Sequence, residues 1–367
     1  MIKKYDYIIV GSGLFGSVFA QQAIEKGKSC LIIDKRSHTG GNVYTENIGG
    51  INVHKYGPHI FHTSDAGIWE YVNRFAKFNN YINRTKVNYK NELYSFPINL
   101  FTLYQIFGVR TPSEASDLLS KLSINCDSPK NLEEWITSQV GEEIYRKFIY
   151  GYTKKQWGRE PSELPASIIK RLPIRLNFDD NYFDDIYQGI PIGGYTRMIE
   201  AMQGDCDISL NTDFFLNRKM YEDIADKIVF TGAIDEFFDY SEGELEYRSL
   251  SFETVVMEIP DYQGNAIINY TDEDVPYTRI CEHKHFESTR SACTVITKEY
   301  PEKWDTTKER YYPVNNTENN NRYSAYKKMS DLISNKYIFG GRLAEYKYYD
   351  MHQVIGSALK KAKNEIK

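Results

Sequence analysis

The segment Gly11-Ser12-Gly13-Leu14-Phe15-Gly16 has the residue types and spacing needed to hold a phosphorylated cofactor. Gly11 permits a tight turn, Gly13 lets the backbone approach a pyrophosphate at a helix N-terminus, and Gly16 allows helix and strand to pack closely. An apolar, β-branched run from Tyr5 to Val10 predicts a strand before the turn, and a helical pattern through Ala20, Ala23 and Ile24 runs on to Gly27. Cys30 to Ile33 predicts a second buried strand, and Asp34 at its end can accept from a ribose hydroxyl. Strand, glycine turn, helix, strand and acid follow one another in the order of a dinucleotide-binding βαβ unit.

A second glycine-rich approach separates flavin from nicotinamide. After Asp34, Lys35 and Arg36 comes the doublet Gly40-Gly41 before Asn42, which NAD sites usually lack. This arrangement resembles the FAD-binding start of glutathione-reductase-like and amine-oxidase-like flavoproteins, so FAD is the expected cofactor.

Other residues invite chemistry with less specificity. Arg171 lies in a proline-punctuated stretch and Arg279 in Val275-Pro276-Tyr277-Thr278-Arg279; a guanidinium forks onto phosphate oxygens, although a solvated arginine is the plainer reading of either alone. Phe148 to Gly158 offers flat aromatic faces for a base, or else a helical core. The loop Arg342 to Asp350 gathers charges and phenols behind a predicted strand, where sites concentrate. Tyr150 and Lys154 have dehydrogenase-like spacing but the wrong glycine context. His59 and His62 are three apart and His283 and His285 two apart, but no cluster of carboxylates or thiolates is expected to accompany them, so no metal is expected.

These residues must be positioned by a large chain of 367 residues, enough for two to three domains. Lys plus Arg number 45 against 50 Asp plus Glu, a net charge of −5 that does not attract nucleic acid. The chain is 41% hydrophobic and 26% charged, with no run near the roughly 18 apolar residues of a membrane span. Five cysteines without C-x-x-C spacing, and Asp6 interrupting the N-terminal apolar stretch, predict a soluble cytoplasmic protein without a secretory leader.

The predicted fold class is α/β: a discontinuous Rossmann-like FAD-binding domain (1–80, 190–240 and 332–367), an inserted helical domain (100–178) with a mobile lid near 158–178, and an antiparallel β-sheet domain (81–99, 179–189 and 241–331). Within the helical part the periodicity predicts helices over Leu132 to Val140 and Glu142 to Tyr150, and the asparagine-rich stretch 315–323 reads as a polar loop.

Tyr56 to Thr63 (YGPHIFHT), Gly151-Tyr152-Thr153 with Gln156-Trp157-Gly158, Ile168 to Arg171, Val275 to Arg279 and Phe339 to Asp350 together resemble bacterial UDP-galactopyranose mutase across nearly the whole chain. The resemblance implies an FAD enzyme, a homodimer, that interconverts UDP-galactopyranose and UDP-galactofuranose and supplies galactofuranose to cell-surface polysaccharide such as lipopolysaccharide. NADH or NADPH is the external reductant it suggests, and no nucleic acid or membrane span is implied.

Position by position, the resemblance makes Tyr152 the uracil-stacking ring, with Phe148, Thr153 and Trp157 its neighbours. Asn83, Tyr182, Tyr312 and Tyr348 surround the substrate. Arg171 on the lid and Arg279 contact the diphosphate, and with His59 and His62 form the expected catalytic set. The FAD set comprises Gly11, Gly13, Leu14, Phe15, Gly16, Asp34, Lys35, Gly41, Asn42, His59 and Ile60, together with Gly341, Arg342, Tyr349, Asp350 and Met351.

The chemistry agrees with such a role. Contracting a hexose ring requires cleaving C1 from the diphosphate, opening the ring, reclosing it through another hydroxyl and restoring the bond. No protein nucleophile is obvious, whereas N5 of a reduced flavin can attack the anomeric carbon with no net redox. The alternatives are an amine-oxidase-like FAD oxidoreductase and a non-catalytic flavoprotein that binds UDP-sugars.

Overall fold

The computed structural model describes residues 4–170 and 172–366. Two large sheets, two small two-stranded ones and a helical layer organise them. The first sheet has five parallel strands in the order Tyr337–Phe339, Ala225–Phe230, Tyr5–Val10, Cys30–Ile33, Asp207–Ser209. Beyond Asp6 the central strand runs apolar without alternation because both faces are covered, and Ile8 and Ile9 are fully buried. On one face the helix Leu14–Glu25 packs against Met351–Glu365 and Tyr195–Gln203. The strands flanking Tyr5–Val10 follow it in sequence on opposite sides, which opens a crevice at the carboxyl ends where ligands bind in such sheets.

The second sheet has seven strands in the order Tyr312–Pro313, Tyr247–Met257, Thr294–Lys303, Arg279–Glu282, Ile267–Tyr270, Lys86–Tyr89, Glu92–Ser95. It is mixed and not wholly antiparallel, because Ile267–Tyr270 runs parallel to Lys86–Tyr89. Those two strands are far apart in sequence, separated by the helical layer and by strands of the first sheet, so no hairpin forces them to oppose one another.

The helical layer comprises Leu100–Phe107, Pro112–Leu122, Leu132–Tyr145, a π-helical turn Arg146–Tyr150 and Gly151–Trp157. Asn99, Thr111 and Asn131 each cap a helix through a side-chain oxygen that accepts from its first turn. The expected break between the predicted helices Leu132 to Val140 and Glu142 to Tyr150 falls at Gly141 (φ 78°), where an added Cβ would lie 2.5 Å from the Leu122 carbonyl.

One expectation is overturned. The stretch 315–323 is not a loop beyond Asn316: a helix runs over Thr317–Leu332, with Asn316 as its cap accepting from Asn319 N at 2.8 Å. The asparagines mark a helix start, which a reading of composition alone confuses with a turn. Among the described residues no helix is long and apolar enough to cross a membrane.

Candidate active site

The βαβ turn forms one wall of a long cleft. Gly11 (φ 108°) could not carry a side chain, since its Cβ would sit 2.0 Å from Thr231 Oγ1. The helix Leu14–Glu25 begins at Gly13 with no side-chain cap and no acid in its first turn, so its leading N–H groups and positive end face the cleft. The doublet closes on this turn: a Cβ on Gly41 would lie 2.9 Å from the Gly13 Cα. A side-chain-free cradle at a helix N-terminus fits the pyrophosphate of FAD, and the cleft continues past Asp34 and Lys35 on one side and Gly341, Arg342 and Tyr349 on the other.

Most of the predicted FAD set lines this cleft: Gly11, Gly13, Leu14, Phe15, Gly16, Asp34, Lys35, Gly41, Asn42, His59, Gly341, Arg342, Tyr349 and Met351. Ile60 and Asp350 instead line the polar cavity that adjoins it. Asp34 is already engaged by its own surroundings. One carboxylate oxygen accepts from Ser12 N (2.8 Å) and Ser12 Oγ (2.7 Å), and the other accepts from Arg36 N (2.9 Å). Its first task is therefore to order the glycine turn. The sequence reading passed over Glu309, which pairs with Arg36 at 2.9 Å, and over Thr212, Asp213 and Thr231, which close the far wall.

The polar cavity brings together His59, His62, Asn83, Arg279, Arg342 and Asp350 from four separate stretches of chain. His59 Nδ1–H donates to the Gly57 carbonyl at 2.8 Å, and its backbone N–H donates to His54 Nδ1 at 3.1 Å. Burial pulls the His59 imidazole down to about 4 against that carbonyl bond, and the cations Arg342 and Arg279 add to the lowering. The ring is thus neutral at pH 7, with Nε2 an acceptor. His62 stacks on Phe183 with 3.7 Å between centroids, and its Nδ1 lies 2.5 Å from Asp185 Oδ2. Arg342 is aimed by the Tyr349 carbonyl at 2.7 Å and lies over the Tyr348 ring.

A more apolar cavity opens from this one. Phe148, Tyr152, Thr153 and Trp157 line it from the π-turn and the helix that follows, while Tyr182, Arg279, Tyr312 and Tyr348 line both cavities. Arg279 stands at the junction, donating to the Tyr152 hydroxyl and facing the buried Glu299. Burial opposes its charge, but Glu299 and the surrounding phenols more than offset that, so its proton is held more tightly than usual. Burial lifts the Tyr152 phenol to about 12 although Arg279 opposes the shift, so it stays protonated at neutral pH.

Arg171 lies outside the described residues. Glu299 and Asp185 escaped the sequence reading, and Gln156 was given no role there although it stands in the Gln156-Trp157-Gly158 segment; only the strand pairing that sets Glu299 opposite Arg279 could have drawn attention to the first. Lys154 does donate to the Tyr150 hydroxyl at 3.2 Å, but it is also paired with Glu160 and Glu273, and neither residue lines the cleft or the two cavities, so the pair is not placed for dehydrogenase chemistry. Carboxylates do accompany His285 in space: its Nε2 lies 3.2 Å from Asp261, distant in sequence, and 3.3 Å from Glu282, three residues before it.

A family model described as UDP-galactopyranose mutase matches residues 147–348, and one for an NAD(P)-binding Rossmann-like domain matches residues 9–75. The chain is 42% identical to a dTDP-fucopyranose mutase of Escherichia coli over 98% of both chains. It is 43% identical to a probable UDP-galactopyranose mutase of Klebsiella pneumoniae, over 97% of this chain and 94% of that one. Its fold is similar to a crystal structure of reduced UDP-galactopyranose mutase, with a TM-score of 0.75 at 14% identity, covering 99% of this chain and 94% of the other.

Proposed function

The chain belongs to the UDP-galactopyranose mutase family, and from that premise we propose that it interconverts UDP-galactopyranose and UDP-galactofuranose on bound FAD. The observation that carries this reading is Arg279 at the junction of the two cavities, between the aromatic nucleotide compartment and the polar compartment that abuts the cofactor cleft.

The glycine cradle and the helix N-terminus hold the FAD pyrophosphate, and Arg342, His59 and Met351 face both the cleft and the sugar compartment. Reduced FAD supplies an electron-rich nitrogen nucleophile for the anomeric carbon, with no net redox. Tyr152, flanked by Phe148, Thr153 and Trp157, takes the base. Arg279, with Arg171 as the second arginine, holds the diphosphate when it leaves C1 and keeps it within reach for the return step, so that recombination competes with loss to water. Neutral His59 accepts at Nε2, and His62, oriented by Asp185, together with Asn83, Tyr182, Tyr348 and Asp350, binds sugar hydroxyls. Tyr312 stacks with Tyr348, with 5.4 Å between centroids, and walls the sugar off from solvent.

We assign the enzyme to the cytoplasm, as a homodimer feeding cell-surface polysaccharide, with NADH or NADPH as external reductant. The near-equal similarity to a dTDP-fucopyranose mutase supports a second reading, in which the activated sugar is dTDP-fucopyranose. Anaerobic incubation with UDP-galactofuranose or dTDP-fucofuranose, with and without dithionite, tests both. Conversion of the first only when flavin is reduced is the expected result; conversion of the second alone moves the assignment to fucose, and conversion of neither rejects it.

A further inference from the structure

His59 lines both the cofactor cleft and the polar cavity beside it, so a small movement of its main chain moves its ring relative to both. Its backbone N–H donates out of the turn that carries it, to Nδ1 of His54 at 3.1 Å. His54 ends the strand Ile51–His54, is only 2% exposed, and lines neither the cleft nor either cavity. Burial holds its ring neutral, well below the usual range, and the neighbouring His283 and His59 rings add to the lowering. A neutral imidazole that accepts at Nδ1 carries its one proton at Nε2. That Nε2–H is buried without a partner among the described residues, while Phe286 stacks on the ring with 4.7 Å between centroids. A buried donor left unmet is costly, and an apolar side chain would fill the space without that cost. What the imidazole supplies in return is the acceptor turned toward His59.

The acceptor is itself held. The His54 backbone N–H donates to Nδ1 of His283 at 3.2 Å, and that buried neutral ring donates from Nε2 to the Thr297 hydroxyl at 2.8 Å. Thr297 lies on the strand Thr294–Lys303, two residues before Glu299 and on the same face of the sheet. Glu299 is the carboxyl group that faces Arg279. One strand therefore anchors the arginine of the diphosphate at one point and, through two histidines, the main chain of His59 at another. Resting on the placement of FAD and sugar on either side of His59, we propose that His54 is a positioning residue for the reaction: its Nδ1 fixes the His59 main chain and with it the point at which His59 Nε2 meets the sugar. His54 touches neither substrate nor cofactor and acts only through His59.

The test uses the FAD-loaded enzyme, His54→Leu, which removes the acceptor, and His54→Asn, whose side-chain oxygen is bonded to Cγ as Nδ1 is and restores it. Amide hydrogen exchange at His59, resolved in overlapping peptic fragments, reads the bond; anaerobic kinetics with UDP-galactofuranose and dithionite read its use. In wild type the His59 amide is expected to be protected. His54→Leu should exchange it at least about tenfold faster and lower kcat at least about tenfold, with KM within about threefold and FAD content unchanged. His54→Asn should return both to within about threefold of wild type. A merely structural ring would weaken the fold in both variants alike and leave kcat per bound FAD unmoved. An unprotected His59 amide in wild type, a wild-type kcat in His54→Leu, or no recovery in folded His54→Asn overturns the proposal. Where His54→Leu does not fold, protection and kcat in His54→Asn decide it by the same limits. Wild type that protects the amide and binds FAD yet converts neither UDP-galactofuranose nor dTDP-fucofuranose would instead overturn the assignment of the reaction.

Discussion

Arg279 presents its Nε 3.4 Å from Oε1 of Glu299, a carboxyl group whose side chain is only 3% exposed. Their strands pair with these two residues directly opposite, so the sheet register itself delivers the counter-charge to the arginine. Burial raises the Glu299 carboxyl while Arg279 and the Thr278 hydroxyl lower it, with burial prevailing. Arg279→Ala would strand a buried acid and remove a diphosphate contact. Steady-state kinetics should show kcat/KM falling by a factor of about 100 or more, about 3 kcal/mol, with FAD retained. A loss under threefold would exclude Arg279 from the diphosphate site.

Two buried histidines set an acid limit on stability. His283 is pulled down to about 3 by burial, and His54 well below its usual range by burial and by its neighbours His283 and His59. Both stay neutral in the folded chain below pH 6.5, where the unfolded chain takes up protons, so stability must fall as pH falls. His283 alone should remove about 2 kcal/mol between pH 7.5 and 5. Urea unfolding at the two pH values checks this, and a free energy unchanged between them would show that these rings are not held neutral.

Much of this was legible from sequence because the cofactor half is built from contiguous signals. Glycine spacing, a β-branched strand and a terminal acid fall within one unit, so Gly11 to Asp34 could be read as a cradle before any fold was seen. The substrate half is assembled by pairing of distant strands. Glu299 becomes a site residue only through its register with Arg279, and Asp185 only through the bond to His62. Periodicity carries no information about such partners. The helix Thr317–Leu332 was missed for a local reason: it has few apolar residues and its opening asparagines also suit turns.

Lys155 holds the two halves of the nucleotide compartment together. Its ammonium donates to the carbonyls of Tyr270 (2.9 Å), Val275 (2.8 Å) and Tyr277 (3.0 Å), pinning the connection that leads into the strand Arg279–Glu282 onto the helix that carries Tyr152. Lys155→Met should lower stability by about 2 kcal/mol and raise KM several-fold more than it lowers kcat. Unfolding and steady-state curves with wild-type values would show the three bonds to be without consequence.

The contact between the glycine turns supplies the most direct test of the cofactor cradle. Gly13 and Gly41 come from turns on either side of the strand Cys30–Ile33, and they approach until a Cβ on the second would stand 2.9 Å from the Cα of the first. Backbone cannot yield there as a flexible side chain would, and Gly41 also holds a left-handed φ of 54°, which a β-branched residue resists. Gly41→Val should therefore part the turns and widen the bed for the pyrophosphate. Purified protein is expected to carry less than about a tenth of the wild-type flavin absorbance, because displaced backbone donors no longer converge on the phosphates. Far-ultraviolet circular dichroism should stay near wild type, since the strands Tyr5–Val10 and Cys30–Ile33 pair through residues away from the turn. Full flavin occupancy in a folded Gly41→Val variant would place the pyrophosphate elsewhere.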